Sequence, residues 1–506
     1  MKHKKKPPEK VKKGKTSVFR RVYSIQEPFV FATVVQDPLT QKVRYEIIEP
    51  TLLKREEEAL REIKSNLMQE VDVSLKDLET SEKAEEYLEN KVREIIANYH
   101  ISVAREAVNK LLYYIRRDFI GYGKIDPLMR DHLIEDISAD GVDIPIYIWH
   151  REYESLPTNI VFKTTDELNS FVIRLAYLAR RQISIAAPML DATLPDGSRI
   201  QLTYGSEITR RGSTFTVRRF RTDPPTVSDL INFNTLSSEM AAYFWYTIEN
   251  RASVLVAGGV AAGKTTTLNC LSMFIKPELK IVSVEDTAEL NLPNENWIPS
   301  VVRIGPEEKG SGTITLFDLL KTAVRQRPDF IIVGEVRGKE AYTLFQAMAT
   351  GHLGLGTIHA ESSTAVLQRL ESEPMNIPKQ MLTMIDGILV QSRVEVGGKP
   401  ARRIRTVTEV VGLDSKTKEV QTHEVFTWNP RTDSFAFSGG SFILEKIMKR
   451  RGLDEEDVQT ELRQRRVVLE WMAKRNIRRY TEVASVIRDY YADPIRMFRK
   501  ARLEAK

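Results

Sequence analysis

Cysteine is almost absent from this 506-residue sequence, which has Cys270 alone. A disulfide framework and a cysteine-built zinc site are thereby excluded. No stretch approaches the ~18 uninterrupted apolar residues of a membrane span. The N-terminus is basic, but no apolar segment of the signal-peptide kind follows it, so a cytoplasmic location is expected. Apolar residues make up 42% and charged residues 28%, the balance of an ordinary globular protein. A chain of this length holds about two to four domains.

Charge of one sign is also lacking once the N-terminus is set aside. The first 20 residues hold eight Lys, Arg20 and Glu9, a net +8 within a total of +6, which leaves −2 on the rest. Residues 1–25 therefore read as a disordered basic tail. Weak contact with anionic lipid is open to such a tail, at about 1 kcal/mol per Lys near the surface. The near-neutral remainder predicts no specific nucleic-acid partner.

What the sequence does have is a phosphate-loop pattern. Ala252 to Ala257 is a short apolar run suited to a buried strand. Gly258, Gly259, Val260, Ala261, Ala262, Gly263, Lys264, Thr265 and Thr266 follow, and Thr266 to Ser272 reads as the start of a helix. The spacing is G-x-x-x-x-G-K-[ST], in its proper strand–loop–helix setting. Glycines let successive N–H groups turn toward a phosphate chain, and the helix N-terminus adds partial positive charge. Lys264 is suited to the β/γ-phosphates and Thr265 to Mg²⁺. ATP and Mg²⁺ are the expected cofactors. Cys270 falls on the following helix, where a buried, inert thiol is expected.

Around this loop the chain divides into four stretches. Residues 26–118 carry a small hairpin, Phe29 to Val35 and Lys42 to Ile48 about Asp37-Pro38-Leu39-Thr40. Three helical patterns follow, marked by Leu60, Ile63 and Leu67, by Leu88, Val92 and Ile95, and by Leu111 and Ile115. They predict a docking module with no visible chemistry. Residues 119–225 predict a mixed α+β domain, with strands at Ile144 to Trp149, Ile200 to Tyr204 and Ser213 to Arg219. Residues 226–506 predict an α/β domain with a parallel sheet. Its buried strands are Ser253 to Ala257, Lys280 to Val284, Phe330 to Val333 and Gly354 to Ile358. Antiparallel strands and charged helices close the chain.

Three more stretches carry chemistry, and each is expected at the C-terminal end of a strand, where open α/β sheets bind ligands. The first ends in Glu285 and Asp286, either of which suits a water-polarising acid. The second ends in Gly334-Glu335, and Glu335 suits a Mg²⁺ partner acting through water. The third runs from Gly351-His352 to His359, whose histidines suit a γ-phosphate sensor or an inter-strand hydrogen bond. Five arginines between 210 and 221, Arg211 and Arg218 among them, suit either a solvated face or charge supplied to phosphates across a subunit boundary.

In these residues the chain resembles the secretion ATPase superfamily of type II and type IV secretion, pilus and archaellum motors, its archaeal branch most of all. Glu285-Asp286-Thr-Ala-Glu289 matches the family's Asp box, Gly334-Glu335 its atypical Walker B, and His352 and His359 its His box. The resemblance spans about residues 120 to 420. It implies a RecA-like P-loop motor domain, ATP hydrolysis and a homohexamer peripheral to the cytoplasmic face of a membrane. The implied partner is a polytopic membrane protein of the platform. It also implies Glu285 as the water-polarising acid, with Glu289 as a second candidate, and Arg211 and Arg218 as the arginine-finger region. The loop departs from the commoner Gly-Pro-Thr-Gly-Ser-Gly, since Val260 and Ala262 carry no hydroxyl. Two other functions stay open: a conjugation-type nucleic-acid translocase and a nucleotide-gated scaffold that does not hydrolyse.

Overall fold

A computed structural model describes residues 20–36, 42–70, 81–220, 223–303 and 312–504. The chain falls into two compact units, residues 1–220 and 221–506. The basic tail up to residue 19 and the 37–40 turn lie outside the described residues.

In the first unit the expected hairpin forms, but it belongs to a larger sheet. Strands β1 (Arg20–Gln26), β2 (Val30–Gln36) and β3 (Val43–Ile48) make an antiparallel ribbon. Residues 20–25, expected in the disordered tail, are thus in a strand, because Arg20 to Gln26 finds β2 as a pairing edge. Six more strands follow: β4 (Ile134–Ala139), β5 (Pro145–His150), β6 (Glu154–Val161), β7 (Met189–Thr193), β8 (Arg199–Thr203) and β9 (Thr214–Arg218). Sheet order is β1-β2-β3-β6-β5-β4-β9-β8-β7. The β3–β6 junction is short, a parallel pairing of Tyr45 with Thr158. Asn159 reinforces it, accepting from Ile47 N–H and donating to Ile47 C=O, both at 2.9 Å. The buried Asp131 carboxylate adds a second tie, accepting from Tyr23 on β1 and Tyr45 on β3, each at 2.6 Å. Inward residues Ile137, Ile148, Leu202, Phe215 and Val217 pack on the Thr165–Leu178 helix through Leu168, Val172 and Leu175.

Helices Lys54–Glu70, Ser81–Asn98 and Val108–Phe119 gather a separate small core. Leu60, Ile63, Leu67, Leu88, Val92, Ile95, Leu111 and Ile115 fill it, the positions at which the 3.6-residue period repeats.

The second unit is built on nine strands: β10 (Val254–Gly258), β11 (Ile281–Glu285), β12 (Trp297–Val301), β13 (Phe330–Val333), β14 (Leu353–Ile358), β15 (Gly387–Val396), β16 (Lys399–Leu413), β17 (Val420–Asn429) and β18 (Ser434–Phe437). Their order is β12-β11-β13-β14-β10-β15-β16-β17-β18. The first six run parallel and the last three return antiparallel. Strands β10, β11, β13 and β14 are buried along their whole length, as apolar runs without alternation require. The α/β class with a parallel sheet, after a mixed α+β domain, is the fold that the sequence predicts. Trp245 anchors one face, stacked on Phe274 at 5.4 Å and tilted against Tyr490 at 4.8 Å. Among the described residues no helix is long and apolar enough to cross a membrane.

Candidate functional site

The site grows from the end of β10. Gly258 closes that strand, and the chain must pass so near β15 that a Cβ here would stand 2.3 Å from the Gln391 carbonyl oxygen. Ala261 (φ 58°) and Gly263 (φ 94°) then take left-handed conformations, which turn the loop into the Lys264–Ser272 helix. Val260 is 85% exposed, whereas Ala262 is buried. Thr265 and Thr266 open the helix, both half-buried. Thr267 donates to the buried Gln391 side chain at 2.7 Å. Cys270 is buried behind them, and burial raises its thiol pKa, so it stays a protonated, inert thiol.

Three of the expected residues meet in one hydrogen-bonded row. The Lys264 ammonium is buried and donates to Gly259 C=O at 2.9 Å and to Nδ1 of His359 at 3.3 Å. Nε2 of His359 faces Glu335 Oε1 at 3.1 Å. Burial, and then the charge of Lys264, hold the imidazole pKa below its ordinary value, against the pull of Glu335. A neutral ring that accepts at Nδ1 and donates from Nε2 satisfies both neighbours. Three adjacent strands set this up, since β13, β14 and β10 are side by side and their C-terminal ends carry Glu335, His359 and the loop.

Glu285 ends β11, one strand further out, and is 2% exposed. Its Oε1 accepts from the backbone N–H of Glu289 and Leu290 at 3.1 and 3.0 Å. Its Oε2 is buried with no hydrogen-bond partner. Burial lifts the carboxyl pKa to about 7, against those two N–H bonds, which lower it. Asp286 differs, being tied by an ion pair to Arg337, whose Nε also lies 3.5 Å from Glu335. Of the two acids at this strand end, only Glu285 has a free buried oxygen.

His352 does not join this group. It precedes Leu353, the first residue of β14, and its Nδ1 lies 3.1 Å from the Ala347 C=O at the end of a neighbouring helix. Six strand residues separate it from His359, about 23 Å over seven steps at ~3.3 Å per residue. Of the readings open for His352, the structure shows a hydrogen bond to a helix end. Arg211 and Arg218 belong to the first unit and are both exposed. Arg211 sits on a pinned turn, its C=O accepting from Val142 N–H at 3.0 Å and Thr209 bonding Gly212 C=O at 2.7 Å. Arg218 is the last residue of β9.

The sequence predicts antiparallel strands here, but not that the β15–β16 hairpin reaches the loop. Gln391 and Arg402 press on the loop, and Arg402 Nε donates to Ala261 C=O at 3.1 Å. Arg369 was missed too, and it donates to His359 C=O at 2.8 Å. No motif marks these residues, because only strand pairing brings them near.

A glycine loop leaving a central parallel strand, ringed by groups from neighbouring strand ends, defines an α/β protein of the P-loop class. Residues 121–486 match the profile described as type II/IV secretion system protein, and the chain belongs to that family. An uncharacterized protein of the archaeon Methanocaldococcus jannaschii is 37% identical over 93% of this chain and 88% of its own length. A conjugal transfer protein of Rhizobium radiobacter is 33% identical, covering 40% of this chain and 61% of that protein. Among solved structures, the Yersinia pseudotuberculosis ATPase DotB is 16% identical, with a TM-score of 0.40, covering 72% of this chain and 91% of that one.

Proposed function

We propose that this protein is a motor ATPase of the type II/IV secretion family. It binds Mg²⁺·ATP on residues 258–266, hydrolyses it, and works as a homohexamer at the cytoplasmic face of a membrane. A polytopic protein of a secretion, pilus or archaellum platform is its partner there. The observation that supports this best is the row Lys264–His359–Glu335, with a buried, half-satisfied Glu285 beside it.

The residues fit the nucleotide. Backbone N–H groups of the loop and the helix N-terminus favour a phosphate chain. Lys264 gives its ammonium to the β/γ-phosphates in place of Gly259 C=O. Thr265 and Glu335 would hold magnesium, Glu335 through water. When bound, that ion neutralises charge on the phosphate oxygens. Among the described residues no three His, Cys, Asp or Glu side chains gather to hold a metal alone, and magnesium takes its other ligands from phosphate and water.

Glu285 Oε2 accepts a proton from the attacking water, a task for which a carboxylate of raised pKa is suited. His359 reports whether the γ-phosphate is present, because its Nδ1 loses Lys264 when the ammonium turns to phosphate. Arg211 and Arg218 deliver charge to a phosphate held by a neighbouring copy, a contribution of about 4–7 kcal/mol where arginine fingers act.

The test is ATP turnover against protein concentration, with mass followed by light scattering in Mg²⁺·ATP. Turnover per subunit that climbs as hexamers form, and that Lys264→Ala abolishes, is the expected result. A monomer with concentration-independent turnover removes the ring. Assembly without turnover points to the non-hydrolysing scaffold. The conjugal transfer relative favours a second reading, a nucleic-acid translocase. DNA-stimulated turnover that survives deletion of residues 1–20 selects it.

A further inference from the structure

We infer that Arg402 is a positioning residue for the glycine loop, holding Ala261 in its left-handed conformation and thereby aiming the Ala262 amide at the bound phosphates. The inference rests on the nucleotide reading of residues 258–266.

Ala261 has a Cβ, yet its φ is 58°. For an L-residue that conformation costs roughly 1–2 kcal/mol. Such residues persist only where their surroundings hold them. Here the holding contact is visible. Arg402, on β16, donates its Nε–H to the Ala261 carbonyl at 3.1 Å. Its Cδ lies 3.1 Å from where a Cβ on Gly263 would stand, so the arginine stem also covers the exit of the loop.

The consequence follows from peptide geometry. A trans peptide is planar, and its C=O and the next N–H point in opposite directions. With the Ala261 carbonyl fixed toward Arg402, the N–H of Ala262 is committed to the opposite side. A loop of this type binds phosphate through backbone amides, so one amide out of place weakens the cradle without removing any side chain that touches ligand.

The neighbouring strand serves the same end. Gln391, buried on β15, accepts from Thr267 at 2.7 Å, and its backbone carbonyl abuts Gly258. Strands β15 and β16 pair so that Arg393 faces Arg402. The hairpin thus grips the loop at its start, at its middle and on the helix that follows.

The experiment is a double-mutant cycle in the full chain, read by calorimetric titration with ADP and Mg²⁺. Four proteins are compared: wild type, Arg402→Ala, Ala261→Gly and the double variant. Arg402→Ala is expected to weaken ADP binding roughly tenfold, as loss of one charge-assisted bond would. In the Ala261→Gly background the same substitution is expected to change binding less than about twofold, because glycine takes the left-handed region without help. Arg402→Met retains the stem over Gly263 and removes the donor, so it should match Arg402→Ala and keep the wild-type melting temperature without ligand.

Equal losses in both backgrounds mean that Arg402 acts on the nucleotide directly, and they overturn the inference. So does wild-type affinity in Arg402→Met. Failure of the wild type to bind ADP removes the nucleotide reading and the inference together. Wild-type binding with no background dependence removes only the inference.

Discussion

Nε2 of His359 stands 3.1 Å from the Glu335 carboxylate while Nδ1 of the same ring takes a hydrogen bond from Lys264. One neutral imidazole thus joins the lysine of the glycine loop to the acid of the neighbouring strand end. On the proposed function, a phosphate that draws Lys264 away would be felt at Glu335 through this ring. His359→Ala is expected to cut ATP turnover by roughly 10² while leaving ADP affinity within a few-fold, as for loss of a single preorganised donor. Single-turnover hydrolysis and ADP titration check it; an unchanged rate separates His359 from the chemistry.

On the proposed mechanism, Glu285 is expected to set the acid limb of the pH profile. Its carboxyl titrates at about 7 because it is buried. Below that pH it holds a proton and is unable to accept one from water. The rate should therefore rise with pH through about 7 and level off above. Glu285→Gln should lower turnover by at least ~10² above pH 7 and remove this limb. The sign for stability is the reverse. A carboxyl raised above its ordinary value favours the folded chain at acid pH, and that contribution fades as pH climbs through about 7. Melting temperature against pH, wild type beside Glu285→Gln, reads the second effect.

Arg211 gives a test that separates binding from turnover. It lies in the first unit on a turn held by Thr209 and Val142, so its side chain is dispensable for folding. Arg211→Ala should bind ADP normally and hydrolyse ATP roughly 10³-fold more slowly, the lower end of an arginine-finger effect. Mixing this variant with Lys264→Ala should restore part of the activity, since a mixed ring contains interfaces with an intact loop and an intact arginine. Wild-type turnover in Arg211→Ala assigns the cluster to packing or docking.

The core of the second unit makes its own prediction. Arg465 is 3% exposed and forms ion pairs with Glu249 and Glu461. Removing Glu249 leaves a buried cation with a single carboxylate, Glu461, and breaking such a pair is costly. Glu249→Ala should destabilise this unit by about 2 kcal/mol, read as a lower urea midpoint for the unit's transition. Arg465→Met should cost less, because Glu249 keeps Lys276 at 3.3 Å and Glu461 is more exposed to water.

Much of this was legible in the sequence. The small helical core sits at the positions marked by period, from Leu60 and Ile63 to Leu111 and Ile115. Strands β10, β11, β13 and β14 coincide with uninterrupted apolar runs. Both signals are local: burial on one face of a helix, or on two faces of a strand, is written in neighbouring residues. The loop is local as well, because a strand, glycines, a lysine and a helix must follow one another along the chain to wrap a phosphate. Even the choice of Glu285, Glu335 and His359 came from strand ends and family pattern.

Tertiary structure alone decided what pairing brings together. Arg20 to Gln26 carries the charge of a tail, and only β2 beside it makes it a strand. His352 and His359 are seven apart in sequence, yet an extended strand puts them at opposite ends of β14. Gln391 and Arg402 lie more than 120 residues after the loop, and the β15–β16 hairpin carries both to it. The raised pKa of Glu285 depends on burial by residues distant in sequence. Local pattern fixes which residues bury and where chemistry is placed along the chain, whereas long-range pairing decides which of them touch.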